Sequence, residues 1–143
     1  MYIIHLLVTG AMLSCMSIKN SPIIKNSCKL IHSEAHTARI TYYSTDAKWG
    51  NQVACQQTER AKEGTTVAAH PDFKFGTKIY IPGLKGKIGD GTFTVQDRGS
   101  AVTSKKAAKG KAYVFDIYVA SNLNITKYAH SQPEYMKIYI VKL

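Results

Sequence analysis

From about residue 37 the chain is a series of short apolar and β-branched runs, several alternating apolar with polar positions, broken by polar and glycine-containing segments. Such alternation is the period of half-buried strands, not of helices. Residues 38–43 (Ala-Arg-Ile-Thr-Tyr-Tyr) are rich in β-branched and aromatic side chains. Residues 65–69, 77–82 and 92–96 repeat the pattern, and residues 113–119 form the most hydrophobic run. Met136, Ile138 and Ile140 alternate in residues 135–141, near the end of the chain. Each run reads as a strand. Residues 83–91 hold four glycines and read as a hairpin loop. Only residues 105–109 and 125–130 have helical character. Six to seven short strands with little helix predict an all-β barrel or sandwich with no internal repeat.

A length of 143 residues suits one domain with a real core. Residues 2–17 contain no Asp, Glu, Lys or Arg. The run is short for a membrane span and fits the apolar region of an export signal; a buried N-terminal strand or helix is the other reading. Residues 12–15 (Met-Leu-Ser-Cys) loosely match a lipoprotein box, which would anchor the chain through Cys15. The protein is therefore expected in the periplasm, the cell envelope or the extracellular space. Residues 18–36 are polar and irregular and read as a linker, with the folded unit starting near Thr37. On export, Cys28 and Cys55 remain as a pair, either bridged or as two separate thiols. No Cys/His spacing suggests a metal.

The 19 Lys and Arg outnumber the 9 Asp and Glu, for a net charge of +10. Such a charge attracts polyanions, including anionic cell-wall polymers. Nucleic acid is not expected, because no recognition helix, zinc-finger spacing or RNA-binding motif accompanies the lysines. A solvated basic surface explains the same charge.

Two carboxylates carry candidate chemistry. Asp97 follows a strand in Gln96-Asp97-Arg98-Gly99-Ser100, where glycine permits a sharp turn at a barrel mouth. An ordinary aspartate turn has the same look. Asp116 lies between Phe115 and Ile117 in an apolar strand. Partial desolvation there raises its pKa toward what a general acid needs near neutral pH; a structural aspartate bound to backbone N–H groups is the alternative. Two carboxylates in one cleft suit glycosidic-bond chemistry. His70 precedes Pro71 and is either a cleft residue or a turn residue.

Several of these segments together resemble a known family. Trp49-Gly50-Asn51, residues 63–69 and residues 75–82 look like the first half of a 3D (Asp-Asp-Asp) domain. Residues 97–102, 105–108 and 116–118 look like its second half. The resemblance covers roughly residues 37–141. It implies the six-stranded double-psi β-barrel with short helices shared by the lytic transglycosylase A catalytic domain and the rare lipoprotein A barrels. It also implies peptidoglycan glycan strands as partner, a monomer, and no cofactor. By it, Asp116 takes the place of the catalytic acid/base and Asp97 that of a supporting carboxylate. His70, Ser100, Tyr118 and Lys105 are then the expected sugar-binding residues. The family's first aspartate is replaced here by His70, with Asp72 two residues on. Residues 103–112 form an insert carrying the lysine cluster, either a lid over the cleft or a solvated turn.

Two functions follow from this reading. One is a lytic transglycosylase-like enzyme cutting the MurNAc–GlcNAc β-1,4 bond. The other is a non-catalytic peptidoglycan-binding barrel.

Overall fold

The computed structural model describes residues 31–45, 52–104 and 108–142. In chain order the strands are β1 (Ile31–Tyr43), β2 (Gln52–Val53), β3 (Gln56–Arg60), β4 (Thr66–Ala68), β5 (Lys78–Tyr80), β6 (Thr92–Asp97), β7 (Val114–Tyr118) and β8 (Tyr135–Lys142). Among the described residues two α-helices accompany them, α1 (Ser100–Thr103) and α2 (Asn122–Ser131).

Six strands close into a ring in the order β1-β7-β4-β6-β5-β8, with β8 pairing back onto β1. The β1/β7 and β4/β6 pairs are parallel and the other pairs are antiparallel. Strands β2 and β3 form a separate hairpin. A closed ring leaves none of its six strands as an exposed edge along its full length, which protects against edge-to-edge pairing.

The period-two pattern dictates which side chains face inward. Ala38, Ile40, Val67, Ile79, Phe93, Val95, Phe115, Ile117 and Ile138 fill the interior. Burying each large apolar side chain contributes about 1.5–3 kcal/mol, so this row dominates the stability of the ring. Both mouths are plugged. At one, α2 inserts Ile125 and Tyr128 against the core. Ser121 caps α2 by accepting from the Asn124 N–H at 3.3 Å, and Glu63 accepts the Ala120 N–H at 2.7 Å. At the other mouth, Phe73 packs against Tyr113 and Phe115, each ring centroid 5.0 Å away.

The strands expected at residues 77–82, 92–96, 113–119 and 135–141 match β5 to β8 with small changes at their ends. Residues 83–91 connect β5 to its antiparallel neighbour β6, as a hairpin loop should. They are more than a loop, however: a short 3-10 turn at Pro82–Leu84 helps bury Leu84 and Ile88. Strand β1 starts at Ile31, ahead of the expected start at Thr37, and pairs with β8 from there. Residues 31–36 thus belong to the ring and not to a linker. The polar β2–β3 hairpin has no alternating apolar signal and is not foreseen from sequence. Helix α2 extends the expected 125–130 segment at both ends, because the Ser121 cap starts it earlier. Of the segment expected to be helical at 105–109, residues 105–107 lie outside the described residues. Lys109 has φ of 51°, which does not continue a helix.

Candidate functional site

Alternation leaves Thr41 and Tyr43 of β1, Ala68 of β4, and Val114, Asp116 and Tyr118 of β7 on the outer face of the ring. Two covers lie on this face. Val102 of α1 and Ala108 pack on Ala68 and Val114. Val53 of the hairpin and Ala61 pack on Tyr118 and Tyr43. Asp116 stands between Val114 and Tyr118, in the gap between the covers.

Asp97 reaches the same face through an irregularity. Thr66 and Val67 pair with Thr94 and Val95, but Ala68 pairs with Asp97. An unbroken ladder would place Gln96 there. The β-bulge inserts one residue and re-aims the side chain that follows. On the other flank of β4, Ala68 pairs with Asp116. The two aspartates therefore bracket Ala68, roughly 10 Å apart at Cα from two strand spacings.

Asp97 is held by three donors. Tyr43 OH donates to Oδ2 at 2.7 Å, and the N–H groups of Ala54 and Arg98 donate to Oδ1 at 3.1 and 2.8 Å. The Arg98 side chain turns away, lies 4.0 Å over the Phe75 ring, and donates to the carbonyls of Phe73 and Asp97 at 2.7 and 3.0 Å. Among the described residues, neither aspartate has an ion-pair partner.

Asp116 accepts from Thr41 Oγ1 at 2.7 Å. Burial pushes its pKa up, the Thr41 bond opposes that, and the nearby charge of Asp97 adds to it, for a value of about 6. Tyr43 is raised far above a normal phenol, first by burial and then by its bond to Asp97, so it remains a donor. The face thus offers one carboxyl able to carry a proton near neutral pH beside one that is locked in place.

The other expected site residues are more dispersed. His70 lies two residues past Ala68, with Nδ1 3.1 Å from Asp72 Oδ2 and its ring 5.5 Å from Tyr113. Tyr113 also bonds Asp72. His70 is therefore tied to a cluster at the Phe73 mouth. Ser100 is exposed at the start of α1, three residues after Asp97. Tyr118 is 7% exposed and stands as a wall behind Tyr43, their rings edge-to-face at 5.5 Å. Lys105, Cys15, Cys28 and Trp49 lie outside the described residues, as does any Cys28–Cys55 bond. Cys55 sits in the hairpin turn, with Sγ 3.7 Å from Glu59 Oε2. Among the described residues no cluster of three His, Cys, Asp or Glu gathers to hold a metal. Among them, too, no helix is long and apolar enough to cross a membrane.

Sequence reasoning missed Thr41, Tyr43 and the Ala54 amide. For Thr41 and Tyr43 a signal existed: polar or amphipathic residues at alternate positions of β1, on the face away from Ile40. The Ala54 contact had none, since it depends on the hairpin folding over β6. Three hollows lie near residues of this face, though neither aspartate lines any of the three. One of ≈ 370 Å³ lies beside Thr41, between β1 and α2. Two others, ≈ 400 and ≈ 300 Å³, share Glu59 and Gln96. Gln96 there bonds Thr66 and Glu59 at 2.8 and 2.9 Å.

Compared with protein-family models and with curated proteins, the chain matches none.

Proposed function

We propose that this protein is an exported, lytic transglycosylase-like enzyme that cleaves the MurNAc–GlcNAc β-1,4 bond of peptidoglycan on a double-psi β-barrel of the 3D type. The observation that carries the reading is the pair of aspartates on either side of Ala68, with Asp116 raised to about 6. Two parallel pairs within a closed six-stranded ring agree with double-psi connectivity.

In this mechanism protonated Asp116 gives its proton to the glycosidic oxygen as the C1–O bond breaks. Asp97 stabilises the positive charge developing on the sugar ring. The C6 hydroxyl of MurNAc then attacks C1 and returns its proton to Asp116, closing the 1,6-anhydro ring. A single acid/base suffices because no water is activated. Ser100, exposed at the start of α1, lines the approach to the sugar, while His70 stays in its cluster with Asp72 and Tyr113.

The test is digestion of purified sacculi with mass spectrometry of the products. The wild-type protein releases 1,6-anhydro-muropeptides and Asp116→Asn releases none while remaining folded. Equal anhydro-products from the variant would falsify the assignment.

A second reading is a binding module for the same polymer. One observation favours it: both oxygens of Asp97 are already engaged by protein donors. It predicts salt-sensitive retention on sacculi with no product at any protein concentration.

A further inference from the structure

We propose that the hollow between β1 and α2 is a recognition site for the short carboxylate-bearing peptide that branches from the glycan. This rests on the peptidoglycan reading above and specifies which strands the site prefers.

The hollow has a simple structural origin. Strand β8 reaches β1 only as far as Tyr135, opposite Arg39. Beyond that, the Ile40 N–H is met at 2.8 Å by the carbonyl of Glu134, and then α2 replaces the strand. A helix cannot follow a strand edge as closely as another strand does. The space left, ≈ 370 Å³, is in the range of ligand sites. In an antiparallel pair a residue's N–H and C=O point to the same side, so the backbone of Tyr42 fronts this gap as that of Ile40 does.

Its lining is apolar along α2, at Ile125 and Ala129, and donor-rich along β1. Arg39 Nε and Tyr42 OH are buried without hydrogen-bond partners. The Arg39 side chain is 27% exposed and pairs with Glu134 through Nη2, while the Glu134 side chain is 55% exposed. An arginine fork accepts a carboxylate in two-point fashion, and Glu134 engages only one edge of it. A half-exposed carboxylate resting on this guanidinium marks the chemistry it takes, and a ligand carboxylate can displace it. The apolar wall suits the alanine methyl of such a peptide.

The hollow also adjoins the candidate site. Thr41 lines it and donates to Asp116. A sugar held at Asp116 thus has its branching peptide within reach of Arg39.

The test is titration calorimetry with the full chain. One probe is the GlcNAc–MurNAc disaccharide carrying L-Ala–D-Glu with free carboxylates. The other is the same molecule with both carboxylates converted to amides. The wild-type protein is expected to bind the free acid tenfold tighter or more, at about the strength of a charged hydrogen-bond pair. Arg39→Gln abolishes that preference. Glu134→Gln removes the competing carboxylate and keeps or widens it. A purely structural ion pair would move both variants in the same direction, and that outcome overturns the proposal. Equal affinity of the wild-type protein for the two probes overturns it as well. Failure of the lytic reading looks different: no anhydro-products from sacculi, with the preference for the free acid intact.

Discussion

Thr41 Oγ1 donates to Asp116 Oδ1 at 2.7 Å across the parallel β1–β7 pair, where the two residues are in direct register. This bond favours the anion, while burial and the charge of Asp97 oppose it. The balance leaves the carboxyl at about 6.

Opposite shifts are expected from the two neighbours. Thr41→Val removes a donor to the anion, so the pKa of Asp116 rises by about half to one pH unit. Asp97→Asn removes a nearby negative charge, so the pKa falls. Burial is the leading cause, and neither change restores an ordinary aspartate. Side-chain carboxyl NMR titration measures both shifts. If Asp116 is the acid, the high-pH limb of sacculus cleavage moves up in the first variant and down in the second. Shifts of the same sign would contradict the electrostatic account.

Stability should depend on pH through the same residue. Asp116 is raised from 3.8 to about 6 in the folded protein. Between those values the folded state binds more protons than the unfolded state, so stability falls as pH rises through the window. The contribution is complete below about pH 4 and is lost by slightly above pH 6. Its size is on the order of 1–3 kcal/mol. Asp116→Asn removes this component, so thermal melts from pH 4 to 6.5 run flatter in the variant. A variant with the wild-type slope would show that Asp116 is not desolvated.

Gly89 and Gly64 provide a test of the fold away from the site. Gly89 has φ of +63°, and a Cβ added there would lie 2.8 Å from the Gly64 carbonyl oxygen. The contact closes residues 83–91 against the approach to β4. Gly89→Ala is expected to cost about 1–3 kcal/mol, from strain plus displacement of backbone. Gly76 is the control: its φ is +86°, but nothing lies within 4 Å of an added Cβ. Gly76→Ala should therefore cost only the left-handed strain, about 1 kcal/mol. Chemical denaturation that ranks the two in reverse would rule out close packing as the cause.

Much of the ring is legible from sequence because its physics is local. Phe93 and Val95 alternate with Thr92, Thr94 and Gln96, and such alternation alone assigns a strand and its inner face. Asp116 stands out for the same reason, as a polar residue in an apolar run. Asp97 does not. By simple alternation it would follow Val95 to the inside, and only the register slip against Ala68 turns it outward. The β2–β3 hairpin has no apolar alternation to betray it, yet its turn provides the Ala54 N–H that holds Asp97.

The sequence by itself determined the number and character of the ring strands, their inward rows, and the presence of a carboxyl in an apolar setting. These follow from the spacing of neighbours along one chain. Tertiary structure alone decided which strands meet, and so which distant side chains share a face. Ala68 brings Asp97 and Asp116 together because β4 lies between β6 and β7, and pairing between strands is a non-local event with no mark in any single segment. The hollow beside Arg39 has the same origin: it exists because β8 stops pairing with β1 where α2 begins to pack.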